Sequence, residues 1–130
     1  MISPQCRDPL RLCPCIRSLY LTLMERCREE GIKLLLIETL RALDRQKHYV
    51  KIGVSWTLDS FHLPQPPNDL SLAFDVVPKD YLREPLWMPE GPLWKDVCGI
   101  GRGLGMFVGA PWPRDKGHYY IRKCRCSDRS

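Results

Sequence analysis

A β-strand carrying a single carboxylate is predicted at Leu72-Ala73-Phe74-Asp75-Val76-Val77-Pro78. Because side chains alternate along a strand, Leu72, Phe74 and Val76 share one face, and Ala73, Asp75 and Val77 share the other. The small Ala73 beside Asp75 leaves room for another group to approach that carboxylate. The stretch therefore predicts a strand with an apolar face towards the core and a functional group on the opposite face.

Two histidines are placed so that they could meet this strand. His62 begins a proline-rich loop that leads to Asp75, and His118 follows Asp115 by three residues. His48, on a predicted helix, is interpreted as solvated or structural. Pairs of this kind also arise by chance in 130 residues, so the spacing alone leaves both interpretations open.

Two histidines, one carboxylate ligand and a spare carboxylate are the groups of a catalytic zinc site. His62, Asp75 and His118 would bind the ion and leave a fourth position for water. Asp115 would act as general base, because an acid three residues before a ligand can reach that water without coordinating the metal. Arg41 is predicted between a strand and a helix, where it could stabilise an oxyanion; the alternative is an ordinary surface arginine.

The remaining elements are predicted from periodicity and from helix-terminating residues. Apolar residues at helical spacing indicate a first helix over 16–27, ending near Gly31. A buried strand is predicted at 32–37, then a helix at 40–51 with Thr39 as its cap. A further helix is predicted from Pro92, with an uncertain end because of four glycines, and the last two strands at 106–108 and 118–121.

Residues 1–15 and 123–130 are predicted to be irregular, and so are the proline-rich linkers at 53–68 and 78–90. Neither a repeat nor a domain boundary is evident. We therefore predict a single α+β domain over residues 1–130, with helices packed on a small antiparallel sheet and the zinc site in a cleft over that sheet.

Seven cysteines are many for a chain of this length. Cys13-Pro14-Cys15 and Cys124-Arg125-Cys126 would form a four-thiolate metal site if the termini lie together. Cys-x-Cys is a weaker zinc signature than Cys-x-x-Cys. Reduced thiols near loose termini are therefore the favoured interpretation, and the cytoplasmic origin expected below argues against disulfides.

The net charge of +5 favours an anionic polymer as partner, such as nucleic acid, acidic lipid or the bacterial cell wall. The basic residues are scattered along the chain, which argues against a nucleic-acid binder. No apolar run is long enough for membrane insertion, and no secretion signal is evident. Synthesis in the cytoplasm is expected.

Three ordered motifs resemble those of one enzyme group. Ser60-x-His62, then Ser71-x-Ala73-x-Asp75 followed by Val-Val-Pro, resembles the Ser-x-His-x-x-Gly-x-Ala-x-Asp motif of the D-alanyl-D-alanine carboxypeptidases and L-alanyl-D-glutamate endopeptidases. This group includes phage endolysins and vancomycin-resistance dipeptidases. Glu38-Thr39-Leu40-Arg41 with Arg45-Gln46 is similar to the group's Glu-x-x-Arg-x-x-x-Arg-Gln segment. The stretch from Gly103 through Trp112 and Asp115 to His118 resembles its closing segment, which ends in Asp-x-Pro-His-Phe.

The chain departs from the group's motifs at several positions. Ser71 replaces the usual glycine, and twelve residues separate His62 from Asp75 where the motif has six. A strict count would select Asp69 as the ligand. Asp75 is preferred, because Ala73, the valines and the strand pattern accompany it and the proline loop resembles an insertion. Near His118, Gly117 replaces proline and Tyr119 replaces phenylalanine.

The resemblance implies a zinc-dependent peptidase that hydrolyses the peptide stem of bacterial peptidoglycan. The matching positions imply zinc binding by His62, Asp75 and His118, catalysis by Asp115 and Arg41, and substrate contacts or site support from Ser60 and Trp112. The first expectation is an L-alanyl-D-glutamate endopeptidase of the phage lysin type, a monomer that acts on the cell wall after release. The alternatives are a D-alanyl-D-alanine carboxypeptidase and a zinc-holding binding module without catalysis.

Overall fold

The computed structural model describes residues 2–53, 60–66, 68–78, 92–109 and 117–124, with the side chains of 92–94 excepted. Its helices and strands follow the chain in the order α1 (Pro14–Glu29), β1 (Leu34–Glu38), α2 (Leu43–Lys51), β2 (Ala73–Pro78), α3 (Pro92–Gly103), β3 (Phe107–Val108) and β4 (His118–Tyr120). A short 3-10 turn at Pro9–Arg11 precedes α1. None of the described helices is long and apolar enough to cross a bilayer.

The four strands form one antiparallel sheet in the order β1-β2-β4-β3. Leu36 pairs with Val76, but the register then shifts so that Glu38 pairs with Asp75. Asp75 in turn pairs with His118 on β4. A bulge of this kind re-aims a side chain next to a site. Here it places Glu38, Asp75 and His118 in one row across three neighbouring strands.

The core lies on the opposite face of the sheet, where Phe74, Val76 and Tyr119 pack against the helices. Phe74 makes an edge contact with Tyr20 of α1 at 5.1 Å between ring centroids and stacks on Tyr119 at 5.4 Å. The alternation predicted for β2 is therefore observed, with Phe74 and Val76 in the core and Asp75 on the other face. Burying this apolar face fixes the register and thereby the position of Asp75.

The predicted α+β architecture is confirmed: three helices pack on a small four-stranded antiparallel sheet within the described residues. The prediction that Thr39 caps α2 was wrong, because α2 begins at Leu43 after the N-cap residue Ala42. The Thr39 hydroxyl instead donates to the carbonyl oxygen of Asp8 at 3.0 Å. Thr39 is fully buried there and links the N-terminal segment to the end of β1.

The N-terminal segment contains more regular structure than predicted over the residues described. The segment predicted as irregular up to residue 15 contains the 3-10 turn and the start of α1. Leu12 forms a bridge with Ser71 beside β2, and Leu12 and Cys124 are both buried. Apolar burial against the sheet accounts for the order of the N-terminal segment and for the inward position of Cys124.

Candidate metal centre

Three side chains predicted as metal ligands converge on the face of the sheet opposite the core. His62 Nε2 lies 3.1 Å from Asp75 Oδ1 and 3.2 Å from His118 Nδ1. His118 Nδ1 lies 2.8 Å from the same oxygen of Asp75. Asp75 and His118 come from paired positions of β2 and β4, and His62 comes from the loop that covers them.

The ring of His62 is oriented by the backbone after β1. Its Nδ1 lies 2.7 Å from the carbonyl oxygen of Thr39, and the side chain is almost fully buried. A carbonyl oxygen only accepts hydrogen bonds, so Nδ1 carries the proton and donates it. In the neutral ring, Nε2 therefore presents a lone pair towards Asp75 and His118. This is the tautomer in which a histidine binds a metal through Nε2.

The backbone on both sides of His62 is also bonded. The amide of His62 donates to Ser60 Oγ at 3.1 Å, and its carbonyl oxygen accepts from the amide of Arg41 at 2.8 Å. Ser60, predicted to support the site or contact substrate, therefore stabilises the turn that positions His62. Arg41 and Thr39 hold the same residue from the other side.

Asp75 is the most solvent-accessible of the three groups, with 26% of its side chain exposed, against 1% for His62 and 11% for His118. Burial alone would raise the pKa of the Asp75 carboxyl. In their protonated form, the adjacent imidazoles of His62 and His118 outweigh this effect and lower its pKa below the ordinary value. The carboxylate is therefore the anionic group of the site, open to solvent along one edge.

The donor set fits a divalent zinc ion. Zinc binds imidazole nitrogen and carboxylate oxygen at about 2.0–2.2 Å, which places tetrahedral ligands roughly 3.3–3.5 Å apart. The three separations observed, 2.8, 3.1 and 3.2 Å, are about 0.1 to 0.5 Å shorter than the lower end of that range. Three protein ligands leave a fourth tetrahedral position for water or substrate.

A buried arginine lies beside the three ligands. Arg41 donates through Nε to Glu38 Oε1 at 3.0 Å and through Nη1 to Gln46 Oε1 at 2.7 Å. Its Nη2 contacts Glu38 and lies 3.7 Å from Asp75 Oδ2, the oxygen that does not face the histidines. Arg41 thus stands between the two carboxylates that the β-bulge brings opposite each other, and its positive charge offsets their repulsion.

The supporting residues Glu38 and Gln46 received no role in the sequence analysis, although both lie in the Glu-x-x-Arg-x-x-x-Arg-Gln segment. Both are buried, with 1% and 0% of their surface exposed. Arg45 donates to Glu38 Oε2 at 3.3 Å, and both Arg41 and Arg45 lie over the ring of Tyr49. The position of Glu38 directly after an apolar strand was the sequence signal for this arrangement. An acid buried at the end of such a strand requires a cationic partner.

Other predicted residues lie apart from the three ligands or outside the described residues. Asp69, the alternative ligand, is exposed in a turn with φ of 57°, and its amide donates to the carbonyl oxygen of Gln65. It does not belong to the His62, Asp75 and His118 group. Asp115 and Trp112 lie outside the described residues.

An aromatic row continues from the three predicted metal ligands along the same face of the sheet. Tyr120 stacks beside His118 at 5.4 Å between ring centroids and is itself stacked with Phe61 and Phe107. Phe107, at the outer edge, is 45% exposed, and the guanidinium of Arg122 lies 4.4 Å from its ring centroid. The row forms a stacked aromatic wall beside His118.

Comparison with solved structures gives a match that covers most of the chain. No family model and no curated protein matches the chain. The structure is similar to the crystal structure of the Serratia marcescens L-Ala D-Glu endopeptidase ChiX, with a TM-score of 0.59 and 22% sequence identity. The match covers 88% of this chain and 84% of that one. At this identity the likeness establishes a shared fold.

Proposed function

We propose that this protein is a zinc-dependent peptidase acting on the peptide stem of bacterial peptidoglycan. The observation that carries the proposal is the convergence of His62 Nε2, Asp75 Oδ1 and His118 Nδ1 within 3.2 Å of one another. The similar solved structure is named as an L-Ala D-Glu endopeptidase, which supports the same chemistry here. The motif resemblance points to the same group independently of the structural match.

His62, Asp75 and His118 would bind the zinc ion. Zinc at this position would supply a Lewis acid for the scissile carbonyl and would bring the pKa of a bound water towards neutrality. The Thr39 carbonyl keeps His62 in the required tautomer, and the Asp75 carboxylate supplies one negative charge. The buried imidazoles and the covering loop exclude solvent from one side of the site.

Asp115 is assigned as the general base, because it precedes His118 by three residues in the chain. Arg41 is assigned to transition-state stabilisation, through a positive charge held 3.7 Å from Asp75. Its three bonds to Glu38 and Gln46 fix the guanidinium in place, as preorganised electrostatic stabilisation requires. Trp112 is assigned to substrate binding on the motif alone. Ser60 reaches the site through the backbone of His62.

The bond between L-alanine and D-glutamate is the proposed target, with the terminal D-alanyl-D-alanine bond as the alternative. Both substrates carry carboxylates, which suits a chain with a net charge of +5. In this proposal, the protein acts on the cell wall as a monomer after release from the cytoplasm, in the manner of a phage lysin.

Digestion of purified peptidoglycan tests the proposal. The soluble products are analysed by mass spectrometry after incubation with the protein, with and without a chelator. Chelator-sensitive release of stem peptides beginning at D-glutamate is expected, whereas release of single D-alanine would favour the carboxypeptidase. A metal-loaded protein that releases neither product from any wall type would contradict the proposal and favour a non-catalytic binding module.

A further inference from the structure

A second cluster of metal-binding side chains lies outside the histidine site. The thiols of Cys13, Cys15 and Cys124 lie within 4.8 Å of one another. The Cys13 and Cys124 sulfurs are 3.1 Å apart, and the Cys15 and Cys13 sulfurs are 3.4 Å apart. Cys13 and Cys124 are buried, and Cys15 is partly buried. Residues separated by 111 positions in the chain are thus brought into contact through sulfur.

The position of this cluster favours thiolates. Cys13 is the N-cap residue of α1, Pro14 is in the first turn, and Cys15 follows it. The amides of Ile16 and Arg17 donate to the Cys13 carbonyl oxygen, which establishes a regular helix start at this point. The N-terminus of a helix carries a partial positive charge that favours anionic groups. Two of the three sulfurs are therefore presented at the end of α1 that stabilises negative charge.

The sulfur separations fit a shared metal better than a disulfide. Zinc binds thiolate sulfur at about 2.3 Å, so tetrahedral sulfur ligands lie roughly 3.8 Å apart. The observed contacts of 3.1 and 3.4 Å are about 0.7 and 0.4 Å shorter than that distance, and the third separation is no more than 4.8 Å. A disulfide would join two sulfurs at about 2.05 Å and leave the third thiol beside it. Three mutually adjacent thiols are what a metal site requires.

From this geometry we infer that Cys13, Cys15 and Cys124 bind a structural zinc ion, separate from the histidine centre. Thiolate ligands select soft or borderline metals, and zinc with sulfur ligands is typically tetrahedral and structural.

The ion would connect the start of α1 to the segment that follows β4. The amide of Cys13 donates to the carbonyl oxygen of Ser71, and the amide of Ile121 donates to that of Leu72. The cysteines thus flank the junction where β2 begins and β4 ends. Asp75 follows Ser71 by four residues, and Cys124 follows His118 by six. A metal here would hold the strands that carry two ligands of the other site.

Metal analysis of variants tests the inference in the full-length protein, purified under reducing conditions without chelator. We expect Cys13→Ser combined with Cys124→Ser to lose one zinc ion per chain, and His62→Ala combined with His118→Ala to lose a different one. Cys27→Ala is the matched control, because Cys27 is a fully buried thiol of the same helix, outside the cluster. It should leave the zinc content unchanged. Because each double variant reports on one site, a wrong assignment of the cysteine site can be distinguished from a wrong assignment of the histidine site.

Cobalt substitution gives a second measurement, and its main result comes from the parental protein without any variant. A near-ultraviolet thiolate-to-cobalt charge-transfer band is expected in the parental protein. The same band should persist in the His62→Ala and His118→Ala double variant. Unchanged zinc content in the double cysteine variant would overturn the inference. Absence of the charge-transfer band, or a parental chain two hydrogens lighter with Cys13 and Cys124 crosslinked, would overturn it too.

Discussion

The Nδ1 atom of His62 donates to the carbonyl oxygen of Thr39 across 2.7 Å. This bond joins the loop carrying one proposed metal ligand to the backbone directly after β1. The amide of Arg41, two residues further along, donates to the carbonyl oxygen of His62. The segment from Glu38 to Arg41 therefore fixes both the tautomer and the position of His62, while the Arg41 side chain approaches Asp75.

The tautomer of His62 is a direct prediction of this bond. Nitrogen-15 NMR of the imidazoles should show Nδ1 protonated in His62, and zinc addition should shift its Nε2 resonance while Nδ1 keeps its proton. His48 on α2 serves as the internal control, because it lies outside the proposed ligand group. A His62 ring protonated only at Nε2 would contradict the assignment.

Variants of Asp115 and His118 should show that metal binding and catalysis depend on different residues. We expect Asp115→Ala to abolish peptidoglycan hydrolysis and keep the zinc of the histidine site, because a general base does not coordinate the metal. His118→Ala should lose both, because it removes one of three ligands. Zinc content and stem-peptide release are measured on the same preparations. Retained hydrolysis in Asp115→Ala would remove the base assignment.

Arg41 should contribute to stability much more than an exposed arginine. Arg41→Ala leaves Glu38, which is 1% exposed, without its nearest cation, and removal of one partner from a buried ion pair costs about 3–5 kcal/mol. Arg28→Ala is the matched control, because Arg28 pairs with Glu25 at the surface with side chains 68% and 53% exposed. Exposed pairs contribute little to stability, because water screens the charges and both side chains lose freedom. Urea unfolding of both variants checks the difference, and equal midpoints would refute it.

Gly101 permits the close approach of α3 to β4. A Cβ atom there would lie 2.5 Å from Cε1 and 2.9 Å from Cδ1 of Tyr119, whose buried ring is stacked on Phe74. Gly101→Ala should therefore destabilise the fold by about 1–3 kcal/mol. Gly99→Ala, in the same helix with open space around the added methyl, should be neutral or stabilising by up to about 1 kcal/mol. Thermal unfolding compares the two, and similar melting temperatures would contradict the packing described.

Local patterns were sufficient to predict most of the architecture. The alternation at 72–77 gave the orientation of β2, and apolar periodicity located α1 because both patterns report burial on one face. The four glycines of α3 and the turn after it made its end ambiguous, and the helix ends at Gly103. In that helix, Gly101 serves close packing against Tyr119, which only the tertiary structure reveals.

The support of the site depends on long-range relationships that no local pattern contains. The β-bulge between Leu36 and Glu38 places a carboxylate opposite Asp75, and the position of Arg41 between these two carboxylates follows only from that register. Thr39 matched a helix cap in sequence, yet its hydroxyl bonds to the N-terminal segment and its carbonyl to His62. The contact between Cys13 and Cys124 likewise depends on the meeting of distant segments.

The central claim is that Asp75 completes a zinc site with His62 and His118. Its most direct test is the zinc content of Asp75→Asn compared with that of Asp69→Asn, after dialysis against metal-free buffer. Asn is close in size to Asp and tolerates the positive φ of residue 69, so both substitutions preserve the backbone. We predict that Asp75→Asn loses one zinc ion per chain relative to the parental protein and that Asp69→Asn keeps the parental content. Loss in Asp69→Asn with retention in Asp75→Asn would contradict the site described here.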